Sequence, residues 1–252
     1  MVRILVTNDD GIRSEGLEAL VIALEPLGDV IAVAPLLEVS AVGHALTLRR
    51  PLRLERIARR RFGVDGTPTD CVNVAVAKVL KGLPDLVVSG INKGSNLGDD
   101  VTYSGTVAGA MEAALLGVPS LAVSLERSGG RFDFSQSANA AATLAEVLLQ
   151  QGLPNRTFLN VNVPQNAAKG LRVTVQGRRN HSTSVSEALD PRRQPYFWIE
   201  EGQTRWEEVD RSDFHAVADG WISVTPLHPD LTNHAAIELV EQLTLGRPAE
   251  VQ

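Results

Sequence analysis

Two adjacent carboxylates, Asp9 and Asp10, follow a short apolar run at residues 2–7. The run predicts a buried strand, and open α/β sheets bind their ligands at the carboxyl ends of strands. Neighbouring carboxylates raise each other's pKa unless a cation lies between them. Two hard oxygen donors suit Mg²⁺, Mn²⁺ or Ca²⁺ better than zinc. The sequence Asn-Asp-Asp-Gly also suits a plain turn, so a metal site and a turn remain alternative interpretations.

Two neutral oxygen donors, Ser40 and Asn92, follow later predicted strands at 29–34 and 85–89. Because the carboxyl ends of parallel strands meet at one sheet edge, these donors could join the aspartates and complete an octahedral shell with water. Each residue alone would more often make a loop hydrogen bond. The convergence of four oxygen donors is what favours a metal site.

The stretch 85–112 joins a predicted strand, a polar loop and a helix that opens at Ser104. The first N–H groups of a helix lack intrahelical partners, and the helix dipole favours negative charge there. Ser104, Gly105 and Thr106 are therefore candidate phosphate ligands. An ordinary N-cap followed by a permissive glycine is the alternative. The many polar residues of the loop favour the functional interpretation, and Asn96 is a candidate for holding substrate or a metal-bound water.

Other catalytic signatures are missing from the sequence. The five histidines form neither HxxxH nor HExxH, no GxSxG occurs, and no glycine-rich ATP or dinucleotide loop follows the first strand. His44 is the histidine nearest the proposed site in chain order, with a surface-loop role as its alternative. The single cysteine, Cys71, excludes an intramolecular disulfide and is predicted to pack in the core. Thr67 and Asp70 are predicted to cap a helix.

The elements that must position these residues alternate between strand and helix, which predicts parallel βαβ units in a doubly wound α/β sheet. Helices are predicted after Ser14 and at 70–80, 104–115, 135–150 and 233–245. Strands are predicted at 2–7, 29–34, 52–57, 62–65, 85–89, 119–125, 157–163, 171–176, 196–200 and 221–226. The polar segment 177–195 is predicted to be a long excursion that reaches a neighbour or covers a site.

The whole chain has 252 residues, 44% of them hydrophobic, and a net charge of −6. This balance argues against non-specific binding to nucleic acid or to a membrane surface, and no specific nucleic-acid binding is expected either. A local exception is 49–61, where seven arginines indicate a solvated strand pair or a polyanion-facing patch. The sequence shows no leader and no membrane span, so a soluble, cytoplasmic protein is expected.

These stretches together resemble the SurE family, the survival-protein nucleotidases. The resemblance runs in order through nearly the whole chain, and the block at 89–113 is its most specific part. One departure is Ala41, where many members have glycine directly after the loop serine; it concerns the loop shape and the reach of His44. The matching segments are ILVTNDDG (4–11), AP with Ser40 and GHALTL (34–48), GTPTDCV (66–72), SGIN–GSNLG–DV–YSGTVAGAMEA (89–113), LNVNVP (159–164), PYFWI (195–199) and DF–AV–G–ISVTPL–DLT (213–232).

The resemblance implies a metal-dependent phosphomonoesterase that hydrolyses nucleoside monophosphates, with 5′ activity expected and 3′ activity left open. It implies a Rossmann-like α/β core at 1–170, a β-rich arm for oligomerisation at 171–232, exchanged between subunits, and a terminal helix at 233–252. That helix would pack on the core or on a neighbour, in a homodimer or homotetramer. One divalent cation per subunit is implied, Mg²⁺ or Mn²⁺ before Ca²⁺.

The resemblance also distributes roles among the candidate residues. The implied cation ligands are Asp9, Asp10, Ser40 and Asn92. The implied phosphate-holding residues are Asn96 and the stretch Ser104, Gly105 and Thr106. Asp9 and Asp10 are the catalytic candidates as well, because they hold the cation and orient the attacking water. Asp10 is the candidate general base.

Two other classes of protein fit the same sheet edge. A nucleotide-dependent transferase, such as a methyltransferase, would bind its cofactor without metal and keep its activity in chelator. A non-catalytic nucleotide or phosphate sensor would use the metal as a structural clip and show no turnover. The paired aspartates disfavour the transferase, because carboxylates that face a phosphate need a cation between them.

Overall fold

The computed structural model describes residues 1–127, 129–180, 183–201 and 205–245. Its main feature is a nine-stranded sheet with the strand order β3-β4-β2-β1-β5-β6-β7-β13-β8. The strands of this sheet are β1 (Arg3–Thr7), β2 (Asp29–Pro35), β3 (Leu54–Ala58), β4 (Arg61–Val64), β5 (Leu86–Lys93), β6 (Ser120–Leu125), β7 (Phe158–Val163), β8 (Leu171–Val173) and β13 (Ile222–Leu227). Two small sheets pair β10 (Thr183–Leu189) with β11 (Pro195–Glu201) and β9 (Arg179–Asn180) with β12 (Arg205–Trp206).

The helices in the described residues are α1 (Glu15–Leu24), α2 (Pro68–Val74), α3 (Gly105–Leu115), α4 (Ser135–Gln151), α5 (Asp213–Ala218) and α6 (Ile237–Leu245). Five of these helices follow the predicted pattern, and α5 was not predicted. Ser14 and Ser104 cap α1 and α3 with their hydroxyl oxygens, as predicted. The helix α2 continues as a π-helical stretch, Ala75–Leu80. No helix among the described residues is long and apolar enough to cross a membrane.

Alternate side chains of the central strands bury themselves on opposite faces of the sheet. Ile4 and Val6 of β1 pack into the core cluster that includes α1 and α4. Leu5, between them, packs into a second cluster with Cys71 of α2 and Ala113 of α3. Helices therefore cover both faces of a mostly parallel sheet, which confirms the predicted doubly wound α/β class.

The order of the strands places the switch point of the sheet between β1 and β5. The chain proceeds from β1 outward to β2 on one side, and from β5 outward to β6 on the other. Ligands of doubly wound sheets bind outside the carboxyl ends of the strands at this point. The ends of β2, β1 and β5 are neighbours there, so the loops that follow them share one crevice.

Three local predictions need correction. The strand predicted to end before Gly90 continues to Lys93, because a register shift between Gly90 and Asn92 lets β5 keep its pairing with β6. The segment 177–195, predicted as a long polar excursion, contains β9 and β10, and β10 forms an antiparallel hairpin with β11. The strand predicted at 171–176 ends at Val173.

The predicted three-part division of the chain stays a prediction. Two strands of its second part, β8 and β13, hydrogen-bond into the nine-stranded sheet, with β13 antiparallel to β7 and parallel to β8. The hairpin β10–β11 is a separate two-stranded sheet. Among the described residues of 171–232, the hairpin, the small sheet β9–β12 and α5 therefore lie outside the main sheet.

The arginine-rich stretch and the cysteine have structural explanations. Arg60 pairs with Asp29 at 2.7 Å, Arg50 lies 3.3 Å from Asp65, and Arg61 pairs with Glu18. The stretch includes the antiparallel pair β3–β4, the solvated strand pair of the first interpretation. Cys71 is free and buried, and burial raises the pKa of its thiol, so it packs in the core as predicted.

The start of α2 depends on one buried carboxylate. Asp70 accepts hydrogen bonds from Thr67 N at 2.9 Å, Thr47 N at 2.9 Å and Thr47 Oγ1 at 2.7 Å. The Thr67 hydroxyl accepts from Asp70 N at 3.1 Å, which completes a capping box. This carboxylate joins the 40–50 loop to the helix, and capping is its role, as predicted.

We expect Asp70→Ala to lower the free energy of unfolding by about 3 kcal/mol, because it leaves buried donors without an acceptor. Urea denaturation of the two proteins measures the difference. Asp85→Ala is the matched control, since Asp85 is exposed and accepts one hydrogen bond, from Arg3 N. A loss for Asp70→Ala no larger than the loss for Asp85→Ala would contradict this role.

Candidate functional site

The four predicted metal-ligand candidates lie at the carboxyl ends of three neighbouring strands. Asp9 and Asp10 follow β1, Ser40 lies in the loop after β2, and Asn92 is the second-last residue of β5. A backbone hydrogen bond of 2.9 Å from Val39 N to Asp9 O ties the Ser40 loop to the end of β1. The fold therefore gathers these positions around the switch point of the sheet.

The carboxylate of Asp9 is buried against the start of α3. Its Oδ2 accepts a hydrogen bond of 3.2 Å from Thr106 N, and its Oδ1 accepts a short one from the Thr106 hydroxyl. Gly105 permits this approach, because a Cβ atom there would lie 2.9 Å from the Asp9 Cβ. The positive end of the helix dipole thus faces a negative charge. The predicted helix start and the predicted metal ligand Asp9 are therefore hydrogen-bonded to each other.

The two neighbouring aspartates both have raised pKa values. Burial raises the pKa of Asp9, and the hydrogen bonds from Thr106 oppose the shift. Burial, together with the charge of Asp9, raises the pKa of Asp10 to about 6, although Lys93 N donates to Asp10 Oδ2 at 3.2 Å. A cation bound between these two carboxylates would stabilise the ionised form of both.

The two neutral candidates make local hydrogen bonds. The Ser40 hydroxyl, which is exposed, donates to Glu38 Oε1 at 2.8 Å. The Asn92 amide nitrogen donates to Gly94 O at 2.8 Å, so the amide oxygen is the atom suited to a cation. Ala41 adopts a φ of +55°, the left-handed region that favours glycine. The loop therefore keeps a glycine-like conformation at the position where the residue departs from the family pattern.

A cation at this site would have an unusual ligand set. No group of three or more His, Cys, Asp or Glu side chains clusters as a metal site within the part of the chain that the structure describes. The candidate set contains two carboxylates, one hydroxyl and one amide oxygen. All four are hard oxygen ligands, and two negative charges suit a cation that keeps several waters. The residues present therefore fit a hard divalent cation.

The predicted phosphate-holding residues lie beside this carboxylate. Ser104 is buried and accepts from Val107 N at 3.1 Å, as an ordinary N-cap does. The N–H and the hydroxyl of Thr106 both donate to Asp9. The capping interpretation is thus correct for the Ser104 hydroxyl, and the helix start as a whole faces the carboxylate.

Asn96 lies in a buried amide network that the sequence analysis missed. Its N–H donates to Asn162 Oδ1 at 2.8 Å and its Nδ2 donates to Ser124 Oγ at 2.7 Å. Its carbonyl oxygen accepts from Asn160 Nδ2 at 2.8 Å and from Asn162 Nδ2 at 3.0 Å. The available signal was a pair of asparagines two residues apart in the apolar strand β7, which places both on one face.

His44 also has a defined partner. Its Nε2 lies 2.7 Å from Oε2 of Glu112, a residue of α3, and Asn73 Nδ2 donates to Glu112 Oε1 at 2.7 Å. Burial favours a higher pKa for Glu112, but the hydrogen bonds from His44 and Asn73 outweigh it, and the pKa is lowered. His44 therefore connects the Ser40 loop to α3. No spacing in the sequence indicates this contact across 68 residues.

A cavity of about 640 Å³ lies elsewhere, between β8 and α5, and contains none of the candidate residues. Its lining mixes both signs of charge, from Arg172, Arg211, Asp210 and Asp219 among others. We place the candidate site at the switch point instead, because the convergent oxygen ligands and the raised carboxylate pKa values are there.

The fold and the site together define a class of protein. A doubly wound α/β sheet carries paired aspartates at its switch point, with a helix start directly beside them. Such a site suits a hard divalent cation on one side and a phosphate-sized anion on the other.

The comparisons with known proteins identify the family. The family model described as Survival protein SurE matches residues 4–183. The chain is 52% identical over 245 residues to the 5'-nucleotidase SurE of Syntrophotalea carbinolica, covering 96% of this chain and 97% of the relative. It is 50% identical over 244 residues to the 5'-nucleotidase SurE of Geotalea daltonii, covering 96% and 98%. The chain belongs to the SurE family.

The fold comparison agrees with this assignment. The crystal structure of the SurE protein from Aquifex aeolicus matches with a TM-score of 0.84 and 42% sequence identity. The match covers 96% of this chain and 99% of that chain. The family resemblance and the α/β fold with its C-terminal hairpin are therefore confirmed.

The raised pKa of Asp10 predicts that this residue lowers the folding stability of the metal-free protein at high pH. A raised folded-state pKa contributes stability that is complete below about pH 4 and is lost as the pH rises through about 6. In EDTA at pH 7.5 we therefore expect Asp10→Asn to have a higher Tm than the wild type. The difference should shrink at pH 5, and thermal denaturation at both pH values measures it.

Asp133→Asn is the control, because the pKa of Asp133 is shifted in the opposite direction to that of Asp10. Hydrogen bonds from the Ser135 hydroxyl and N–H lower the pKa of Asp133, so its contribution is present at both pH values. We expect this variant to lose stability at pH 7.5 and at pH 5. A Tm of Asp10→Asn at or below that of the wild type at pH 7.5 would refute the cost assigned to Asp10.

Proposed function

We propose that this chain is a divalent-metal-dependent phosphomonoesterase that hydrolyses nucleoside monophosphates to nucleoside and phosphate. The observation that carries the proposal is the contact between Asp9 and the start of α3 at the switch point, beside Asp10 and Asn92. The relatives at about half identity that bear the name 5'-nucleotidase support it. Activity on 5′ phosphates is the primary expectation, and 3′ activity is the secondary one.

The proposed ligands of one cation per subunit are Asp9, Asp10, Ser40 and Asn92. Oxygen-only ligands favour Mg²⁺ or Mn²⁺, with Ca²⁺ next. The cation, when bound, supplies positive charge that stabilises the phosphoryl group. It would also hold both carboxylates ionised at neutral pH, against the burial that raises their pKa values.

The protein itself would orient the reactants. Asp10 is the candidate that accepts a proton from the attacking water, because the bound cation would keep its carboxylate ionised at neutral pH. The α3 start at Ser104, Gly105 and Thr106 would face the phosphoryl oxygens with the positive end of the helix dipole and with those N–H groups that do not donate to Asp9. Asn96, held by the amide network, would keep the loop before that helix in place.

A non-catalytic nucleotide sensor is the second candidate. The raised pKa values of two adjacent carboxylates also suit a structural cation, so geometry alone does not distinguish the two functions. The sensor would show a thermal shift with nucleotide and no phosphate release. A metal-independent transferase would keep its activity in EDTA.

We also propose a homodimer or homotetramer, in keeping with the family resemblance. Four consecutive residues of β11, Tyr196 to Ile199, are exposed, and successive side chains of a strand point to opposite faces. Both faces of the hairpin therefore present apolar surface in the single chain. Further exposed apolar side chains lie on α6: Ile237, Leu239, Val240 and Leu243. A cytoplasmic location remains an expectation from the sequence.

The decisive test is phosphate release from a panel of 5′ and 3′ nucleoside monophosphates, with p-nitrophenyl phosphate as a generic monoester. Mg²⁺, Mn²⁺, Ca²⁺ and EDTA are compared. We expect metal-dependent release, and we expect Asp9→Asn and Asn92→Ala each to lower kcat/KM by roughly 100-fold, because they remove a cation ligand.

Asn139→Ala on α4 is the matched control for Asn92→Ala, because Asn139 is exposed and is not one of the proposed site residues, so the variant should keep wild-type activity. Isothermal titration with Mn²⁺ measures cation binding by each variant independently of turnover. Release that persists in EDTA would refute the metal-dependent mechanism. Nucleotide binding without release under any metal would favour the sensor.

A further inference from the structure

One fully buried carboxylate, that of Asp213, lies outside the proposed ligand set and joins three distant parts of the chain. It is the first residue of α5. Its Oδ2 accepts from Gly98 N at 2.9 Å, and its Oδ1 accepts from Gly177 N at 2.9 Å and from Phe214 N at 2.8 Å. Gly98 is 115 residues away in sequence. The bonded groups are backbone amides, so this carboxylate fixes main chain rather than side chains.

The segment that contains Gly98 connects two parts of the proposed site. Residues 97–103 run from the buried Asn96 to the α3 cap Ser104, and Gly98–Thr102 forms a 3₁₀ turn. Displacement of this segment would move the helix start that faces Asp9. Its position is therefore a condition for the geometry of the proposed site.

The same segment contacts the strands β9 and β12, which we call the hairpin stem because they flank the β10–β11 hairpin. Arg179 of the stem donates from its N–H to Asp99 Oδ2 at 3.1 Å, and from Nη1 to both carboxylate oxygens of Asp100 at 2.9 and 2.7 Å. Trp206, also in the stem, stacks on Phe214 with ring centroids 4.2 Å apart. The stem, α5 and the 97–103 segment thus pack as one junction.

Gly98 fits this junction closely. A Cβ atom at Gly98 would lie 2.6 Å from Trp206 Cζ3 and 3.0 Å from Gly177 O. The backbone of the segment therefore lies directly against the stem, and the Asp213 carboxylate bonds the two backbones to each other through Gly98 and Gly177.

We propose that Asp213 is a positioning residue for the hydrolysis: it locks the 97–103 segment to the hairpin stem and so holds Asn96 and the α3 start in their working places. This inference rests on the proposed function. The inference also gives the hairpin a role in the site. A partner that binds the hairpin would contact an element whose stem is hydrogen-bonded to the 97–103 segment.

The two oxygens of Asp213 allow a selective test. In Asp213→Asn, the remaining amide oxygen can still accept from Gly177 N and Phe214 N if it occupies the Oδ1 position. The amide nitrogen then faces Gly98 N, and two donors cannot bond to each other. The reverse orientation would leave two N–H groups unpaired instead of one, so the first is favoured. The variant therefore releases the site segment while the stem stays bonded to α5.

The experiment measures kcat and KM of Asp213→Asn for the best nucleoside monophosphate at saturating Mn²⁺, together with hydrogen exchange of the metal-free protein. We expect kcat to fall at least tenfold, since small misplacements at a reacting centre have large effects on rate. We expect faster exchange in peptides that cover 94–106 and unchanged exchange in β1 and β2.

Ser212→Ala is the matched control, because the Ser212 hydroxyl caps α5 by accepting from His215 N at 3.3 Å, a contact within the helix rather than with the segment. It weakens α5 without releasing Gly98, so kcat should stay within twofold of the wild type. Unchanged kcat in Asp213→Asn, or equal losses of kcat in both variants, would overturn the proposal. So would unchanged exchange over 94–106.

Asp100→Asn is the second variant if Asp213→Asn does not fold. It weakens the contact with Arg179 at the same junction, and Asp100 is the more exposed partner of that pair. We expect a smaller fall in kcat in the same direction and faster exchange over 94–106, and the absence of both would overturn the proposal. If the wild type releases no phosphate from any substrate, the proposed function fails, and the exchange data still decide whether Asp213 positions the segment.

Discussion

The candidate site depends on the carboxylate of Asp9, which is almost completely buried. Burial of Asp9 opposes its ionisation, and the Thr106 N–H and hydroxyl compensate for part of that cost on one side. The other neighbour is Asp10, a second carboxylate whose pKa is raised to about 6. A fold selected for stability alone would avoid this pair. A cation bound between the two carboxylates would compensate for the rest of the burial cost. Without the cation, the pair lowers the stability of the folded protein.

The polar network behind the site comes from the other half of the sheet. Asn160 and Asn162 lie on β7, two strands away from β5, and both bond to the backbone of Asn96. Asp213 on α5 bonds the next turn through Gly98. The loop that leads into α3 is thus held by residues that follow it by 64 to 115 positions in sequence. Residues of β7 and α5 therefore help to fix the loop that leads into the candidate site.

The sequence was informative where local chemistry decides the structure. Ser14 and Ser104 cap their helices, and the strand ends that carry Asp9 and Asn92 meet at one sheet edge, as predicted.

The sequence was uninformative where strand pairing across the fold overrides local preference. Gly90 suggested a strand end, but the pairing of β5 with β6 continues past it. The polar strand β10 gains its conformation from the aromatic strand β11, which a local pattern does not show. Asp213 gave no local signal at all, because its importance lies in contacts 36 and 115 residues away.

The hairpin connects assembly with the site in physical terms. Phe197, Trp198 and Ile199 expose apolar side chains on both faces of a two-stranded sheet, and isolated two-stranded hairpins have little stability of their own. A second copy of the chain that covered these faces would bury apolar area and order the hairpin. The order would extend to the stem, whose Arg179 and neighbouring Gly177 are bonded to the junction that holds the 97–103 segment. Assembly would then stabilise the position of the α3 start without any residue of the hairpin entering the site.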